Sequence, residues 1–112
     1  MARIRVGTSG WHYDHWRGPF YPADLKGAEF LPYYVERLGT TEVNSTFYHL
    51  PDRKTLAAWR DATPQDFVFA CKASRYITHM KKLKDPCESI RRFLEVVEVL
   101  DEKLGPILFQ LP

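Results

Sequence analysis

Apolar and polar positions follow two rhythms along this chain. Arg3 to Thr8 is a short β-rich run that breaks at Ser9 and Gly10, which reads as a strand ending in a sharp change of direction. From Ala28 to Leu38, the residues Phe30, Leu31, Tyr34, Val35 and Leu38 recur at helical spacing, with Pro32 tolerable only in the first turn and Gly39 as the stop. Thr40 to Asn44 is rich in β-branched residues and predicts a second strand, which leaves through a loop from Ser45 to Pro51. Asp52 then stands where it can cap a helix carrying Leu56, Ala57, Trp59 and Arg60, ending before Thr63 and Pro64. Phe67 to Lys72 predicts a third strand with an exit loop from Ala73 to Asp85. Pro86 opens the longest helix, striped by Ile90, Phe93, Leu94, Val97, Leu100 and Leu104. Gly105 and Pro106 end it, and Ile107 to Gln110 reads as a fourth strand. Residues 11 to 26 are too broken by Gly18, Pro19, Pro22 and Gly27's approach for a regular element.

The resulting order, βαβαβαβ, is that of an α/β protein whose helices cross over a parallel sheet. An open doubly wound sheet and part of a (β/α)8 barrel both satisfy it, and no internal repeat decides between them. Both architectures bind ligands at the C-terminal ends of their strands. Ser9, Asn44, Lys72 and Gln110 all fall at or just past such an end.

Composition changes this picture only slightly. A chain of 112 residues with 45% hydrophobic residues suits one domain, and a formal net charge of +2 excludes a strongly basic nucleic-acid coat or a disordered acidic tail. Cys71 and Cys87 form no CxxC or Cys-His ligand spacing, so a reducing cytoplasm is the expected location. The first residues do not form an export signal, and no apolar run approaches the roughly 20 residues of a membrane span.

Five ordered blocks then carry a resemblance: Val6 to Trp11, Trp16 to Pro22, Glu42 to Tyr48, Lys72 to His79, and Gly105 to Pro112. Together they closely resemble the opening of the YecE-like family, domain of unknown function 72. The resemblance implies a TIM-barrel-like fold and no established reaction. It also implies members more than twice this length, so that the four strands and three helices here, residues 1–112, would be the N-terminal half of a (β/α)8 barrel, which takes about 250 residues.

Strand parity sharpens the candidate chemistry. Period-2 alternation separates Phe67, Phe69 and Cys71, suited to the helix side, from Val68, Ala70 and Lys72, suited to a barrel interior. Glu42 and Asn44 share one parity on the second strand, and Gln110 occupies the corresponding end of the fourth. Glu42, Lys72 and His79 are therefore the candidate catalytic residues: an acid or base, an electrostatic clamp or Schiff-base amine, and a titratable ring. Ser9, Trp11, Trp16, Arg17, Asn44, Tyr48, Arg75 and Gln110 are candidate ligand-binding residues.

Residues 72 to 84 hold Lys72, Arg75, His79, Lys81, Lys82 and Lys84 without an acid, the chain's one basic patch. It points to a small anionic or phosphate-bearing ligand. A second reading is a non-catalytic nucleic-acid-binding module in which Trp11, Trp16 and Arg17 join that patch. A third is a fragment without activity that self-associates through its unpaired strand edges. His12, His15, His49, His79 and Glu42 show no zinc-protease spacing on a helix, so no cofactor is expected; a metal held by ligands converging from separate strands stays as the minor alternative. Cys71, on the helix side, reads as a small buried residue and not as a nucleophile.

Overall fold

The computed structural model describes residues 3–112. Strands β1 (Gly7–Ser9), β2 (Thr40–Val43), β3 (Val68–Lys72) and β4 (Leu104–Leu108) form one sheet in the order β1-β2-β3-β4. Every neighbouring pair is parallel. Parallel neighbours cannot be joined by tight hairpins and need crossovers. Helix α1 (Phe30–Val35) lies between β1 and β2, and a single helical turn, α2 (Ser45–Tyr48), sits on the exit of β2. Helix α3 (Arg53–Asp61) leads to β3, and α4 (Pro86–Val97) leads to β4.

Alternation decides which face the helices cover. Thr41, Val43, Phe69 and Cys71 are at most 1% exposed. Their neighbours in sequence, Thr40, Glu42, Val68, Ala70 and Lys72, are only half-buried. Phe30 and Tyr34 of α1, Leu56 of α3, and Phe93 and Val97 of α4 close over the buried face in one core. The other face carries no helix, and Ser9, Glu42 and Ala70 share one level of it.

Threonine and tyrosine hydroxyls tie the layers together. Tyr34, fully buried, donates to Thr40 O at 2.9 Å and accepts from Thr8 N at 2.9 Å. Thr46 of α2 donates to Lys72 O at 2.6 Å and so fastens the exit of β2 to the end of β3. Asp52 caps α3 by accepting from Thr55 N at 2.7 Å, as its position before the helix predicts.

Several elements differ from the sequence expectation. The first strand begins at Gly7 and not at Arg3; the Arg3 and Arg5 side chains donate to the Asp66 carboxylate and carbonyl, each at 2.7 Å. Gly7 itself approaches β2 so closely that a Cβ there would lie 1.9 Å from Thr40 O. The first helix is shorter than the 28–38 stripe, with a 3-10 turn at Gly27–Glu29 ahead of it and Pro32 in its first turn, where a missing N–H costs nothing. The longest helix is α-helical only to Val97; Glu98–Lys103 follows in 3-10 turns broken by a kink at Asp101, whose φ is 54°.

Gly105 and Pro106 do not stop that helix; they lie inside β4. Proline is tolerated where a ladder is irregular, and Gly105 and Pro106 fall between the Phe69–Leu104 and Cys71–Ile107 pairs, where the register of β3 and β4 shifts. Gly105 leaves room for Val68, whose Cγ1 would stand 2.4 Å from an added Cβ. The two exit segments expected as loops also gain structure: α2 forms within Ser45 to Pro51, and a π-helical turn spans Tyr76–Met80. Among the described residues no helix is long and apolar enough to cross a membrane.

Candidate functional site

The C-terminal ends of β1, β2 and β3 gather most of the candidate residues, but at two levels. Ser9 donates to a Glu42 carboxylate oxygen at 2.9 Å on the helix-free face. The register sets Glu42 opposite Ala70, so Lys72 stands two residues farther along, about 6.6 Å up the strand. That offset is why Lys72 is not ion-paired with Glu42. Continuing the register places Asn44 beside Lys72 instead.

Lys72 is held by an aromatic ring. Its Nζ lies 4.2 Å from the centroid of Phe47 in α2, and the His79 ring meets the same phenyl edge-on, with centroids 5.2 Å apart. The His79 Nδ1 is 2.7 Å from the hydroxyl of buried Thr78, which sets the orientation of the imidazole. Tyr48 packs edge-on against Phe47 at 4.9 Å, and the Arg75 guanidinium stands 5.8 Å from the Tyr48 centroid. Three basic groups from one strand exit thus surround an aromatic pair from another. The π-helical turn explains the spacing: its wider winding carries His79 back toward α2 while Ile77 and Thr78 stay buried.

On the other side of Tyr48 a cavity of 360 Å³ opens between the exits of β1 and β2. Gly10, Tyr13, Asn44, Tyr48, Trp11 and Trp59 are among its walls. Gly10 makes the turn with φ 81°, and its N–H donates to Glu42 O at 2.8 Å. Tyr13 closes the loop by donating its hydroxyl to Ser9 O at 2.7 Å.

The remaining candidates lie elsewhere. Trp11 is 7% exposed and meets Trp59 edge-on at 4.8 Å, so it offers a wall and not a free stacking face. Trp16 packs among Tyr13, Phe20 and Tyr21. Arg17 donates to Leu25 O and pairs with Asp14, while its guanidinium sits 4.9 Å from the Phe30 ring. Both belong to the packing of the long connection before α1. Gln110 is exposed beyond the end of β4.

Among the described residues no three of His, Cys, Asp and Glu are gathered to hold a metal. Burial pushes the Cys71 thiol up to about 12, which keeps it a protonated, inert core residue. Burial likewise pushes Tyr21 up to about 12, with Tyr34 adding to the effect, and its hydroxyl donates to Trp11 O.

Phe47 is the residue that the sequence did not single out, although it organises Lys72 and His79. It reads as an ordinary apolar position in a loop, and only the turn of helix that forms there aims it across to β3. Thr46 and Thr78, which position Lys72 and His79 through hydrogen bonds, are equally silent in sequence.

The fold and this site define an α/β protein built on a parallel sheet, with a polar, cation-bearing rim at its strand ends. The chain belongs to the family described as protein of unknown function DUF72, which it matches over residues 5–112. It is similar to the UPF0759 protein YecE of Escherichia coli, at 28% identity over 97% of this chain and 38% of that protein. It is also similar to UPF0759 protein YunF of Bacillus subtilis, at 26% identity over 97% of this chain and 40% of that one. Among solved structures, a DUF72 family protein of Thermotoga maritima superposes with a TM-score of 0.83 at 36% identity, covering 96% of this chain and 44% of that chain. One from Enterococcus faecalis does so with a TM-score of 0.74 at 27% identity, over 98% and 40%. The chain therefore spans about two fifths of the length of these relatives.

Proposed function

We propose that the four-stranded sheet is one half of a TIM-barrel-like (β/α)8 fold and that its strand ends bind a small anionic, phosphate-bearing ligand. The observation that carries this reading is the convergence of Lys72, Arg75 and His79 on the Phe47–Tyr48 pair, where the neighbouring rings hold the cations in place instead of carboxylates. The bare face, the all-parallel sheet and the likeness to longer DUF72 structures support the barrel. Glu42, one level below and anchored by Ser9, is the group available for proton transfer to a ligand held above it.

Calorimetric titration with inorganic phosphate and pyrophosphate tests this. Binding is expected at low salt, falling as salt rises, and weakened at least tenfold in Lys72→Met and Arg75→Ala. Binding that both substitutions leave intact, or no binding at low salt, refutes it.

A second reading follows from the edges. Among the described residues β1 and β4 each lack a neighbour on one side, and Leu108 at the end of β4, with Phe109 and Leu111 just after it, are 44%, 40% and 57% exposed. Self-association of the chain through this side would cover them. Light scattering across a dilution series is expected to show a concentration-dependent mass above that of one chain, and a monomer at every concentration overturns this reading.

A further inference from the structure

We infer that the 360 Å³ cavity beside Tyr48 is a purine subsite, so that the ligand of this rim is a purine nucleotide with its ring in the cavity and its phosphate on the cations. This rests on the phosphate reading above and adds the other half of the ligand. The volume lies within the range of about 300–1,000 Å³ typical of small-molecule sites. Its lining includes the aromatic side chains Trp11, Tyr13, Tyr48 and Trp59; Trp11 serves as a closed wall, and a planar ring gains dispersion and stacking against Tyr13, Tyr48 or Trp59 whatever its substituents.

Asn44 supplies the polar recognition. It stands at the position that caps α2, where asparagine ordinarily accepts from a helix N–H, yet its side chain makes no such bond. Asn44 is among the residues that line the cavity, and its carboxamide carries a donor and an acceptor side by side. That pair matches the adjacent N6 amine and N7 of adenine, which asparagine reads in a bidentate manner.

Tyr48 joins the two halves. Its ring lines the cavity and also stands 5.8 Å from the Arg75 guanidinium. A ring in the cavity and a phosphate at Arg75 would thus be separated by a single side chain, a span that a ribose bridges. Tyr48 is 52% exposed, so its place in the site is not explained by core packing.

The test compares three probes: inorganic phosphate, adenosine, and adenosine 5′-monophosphate, followed by calorimetry and by tryptophan fluorescence from the cavity walls. The monophosphate is expected to bind at least tenfold more tightly than phosphate, and adenosine is expected to change the fluorescence while phosphate leaves it nearly constant. Asn44→Ala should weaken adenosine and the monophosphate by at least fivefold and spare phosphate. Arg75→Ala should weaken phosphate and the monophosphate and spare adenosine. Tyr48→Ala should abolish the monophosphate's advantage, with an unchanged circular dichroism spectrum showing that the fold is kept. If the monophosphate binds no more tightly than phosphate, the purine subsite is wrong and the phosphate reading stands. If adenosine binds and phosphate does not, the cation rim fails as a phosphate site and the nucleotide inference falls with it. If no probe binds, both are refuted.

Discussion

Replacing Tyr34 by phenylalanine removes one oxygen and little volume from the core, and should lower the stability of the protein measurably. The hydroxyl is fully buried and meets three groups at 2.9 Å: Thr8 N, Thr8 Oγ1 and Thr40 O. Thr8 Oγ1 also donates to Gly10 O at 2.8 Å, so two hydroxyl hydrogens serve this cluster. The consistent assignment has Tyr34 accepting from Thr8 N–H and donating to Thr40 O. The substitution strands one amide donor and weakens one carbonyl, each worth about 1–3 kcal/mol when left unsatisfied away from water. Thr8 is only half-buried, which favours the lower end, so the expected loss is about 2–3 kcal/mol. With a urea dependence of about 1.5 kcal/mol per molar, the unfolding midpoint should fall by about 1–2 M at an unchanged slope. Urea titrations of the two proteins by circular dichroism read this directly. A shift below about 0.3 M would show that water or a neighbouring group replaces the hydroxyl, and the argument that Tyr34 fastens α1 to the β1–β2 pair would fail.

Gly7→Ala should prevent β1 from pairing, because the added Cβ would stand 1.9 Å from Thr40 O; loss of native circular dichroism or recovery only in aggregates is expected, and a folded variant of normal stability contradicts it. Asp52→Ala should remove the cap of α3 and lower stability by about 1 kcal/mol, read as a urea midpoint shift, whereas Asp52→Ser should recover most of it. Because burial raises Cys71 from 9.0 to about 12 and Tyr21 from 10.0 to about 12, the folded state holds protons that the unfolded chain releases. Their contribution is complete below about pH 9 and is lost as pH rises toward 12; stability should decline over that window, and Cys71→Ala should flatten its first part. A thiol reagent at pH 8 should modify exposed Cys87 rapidly and Cys71 only upon unfolding.

Much of this architecture is legible in local pattern. Alternation on β3 separates Phe69 and Cys71, which are fully buried, from Val68, Ala70 and Lys72 on the bare face. Asp52 marks the start of α3 for a reason confined to one turn. Local pattern misleads at Gly105 and Pro106, which read as a helix stop but occupy a strand. Their tolerance there depends on a break in register between β3 and β4, and register is a property of the paired strands and not of any short segment. The Arg3 to Val6 run misleads too: its composition is strand-like, yet β1 begins only at Gly7, and the Arg3 side chain pairs with Asp66, 63 residues away.

The sequence by itself determined the order of elements, the shared parity of Glu42 and Lys72 opposite the helix-covered face, and membership of a family read from five blocks. The order and the parity follow from short-range chemistry, namely side-chain period, glycine and proline punctuation, and capping, whereas the family rests on the resemblance of the five blocks. Only the tertiary structure decided which of the polar residues meet. Register places Glu42 level with Ala70 and so keeps it a layer away from Lys72, and the turn of helix at Ser45–Tyr48 brings Phe47 under Lys72 and His79. It also withdrew Trp16 and Arg17 into the packing of their own connection. Such pairings join residues far apart in the chain, and their distances are set by strand register and helix packing, which no local run of residues encodes.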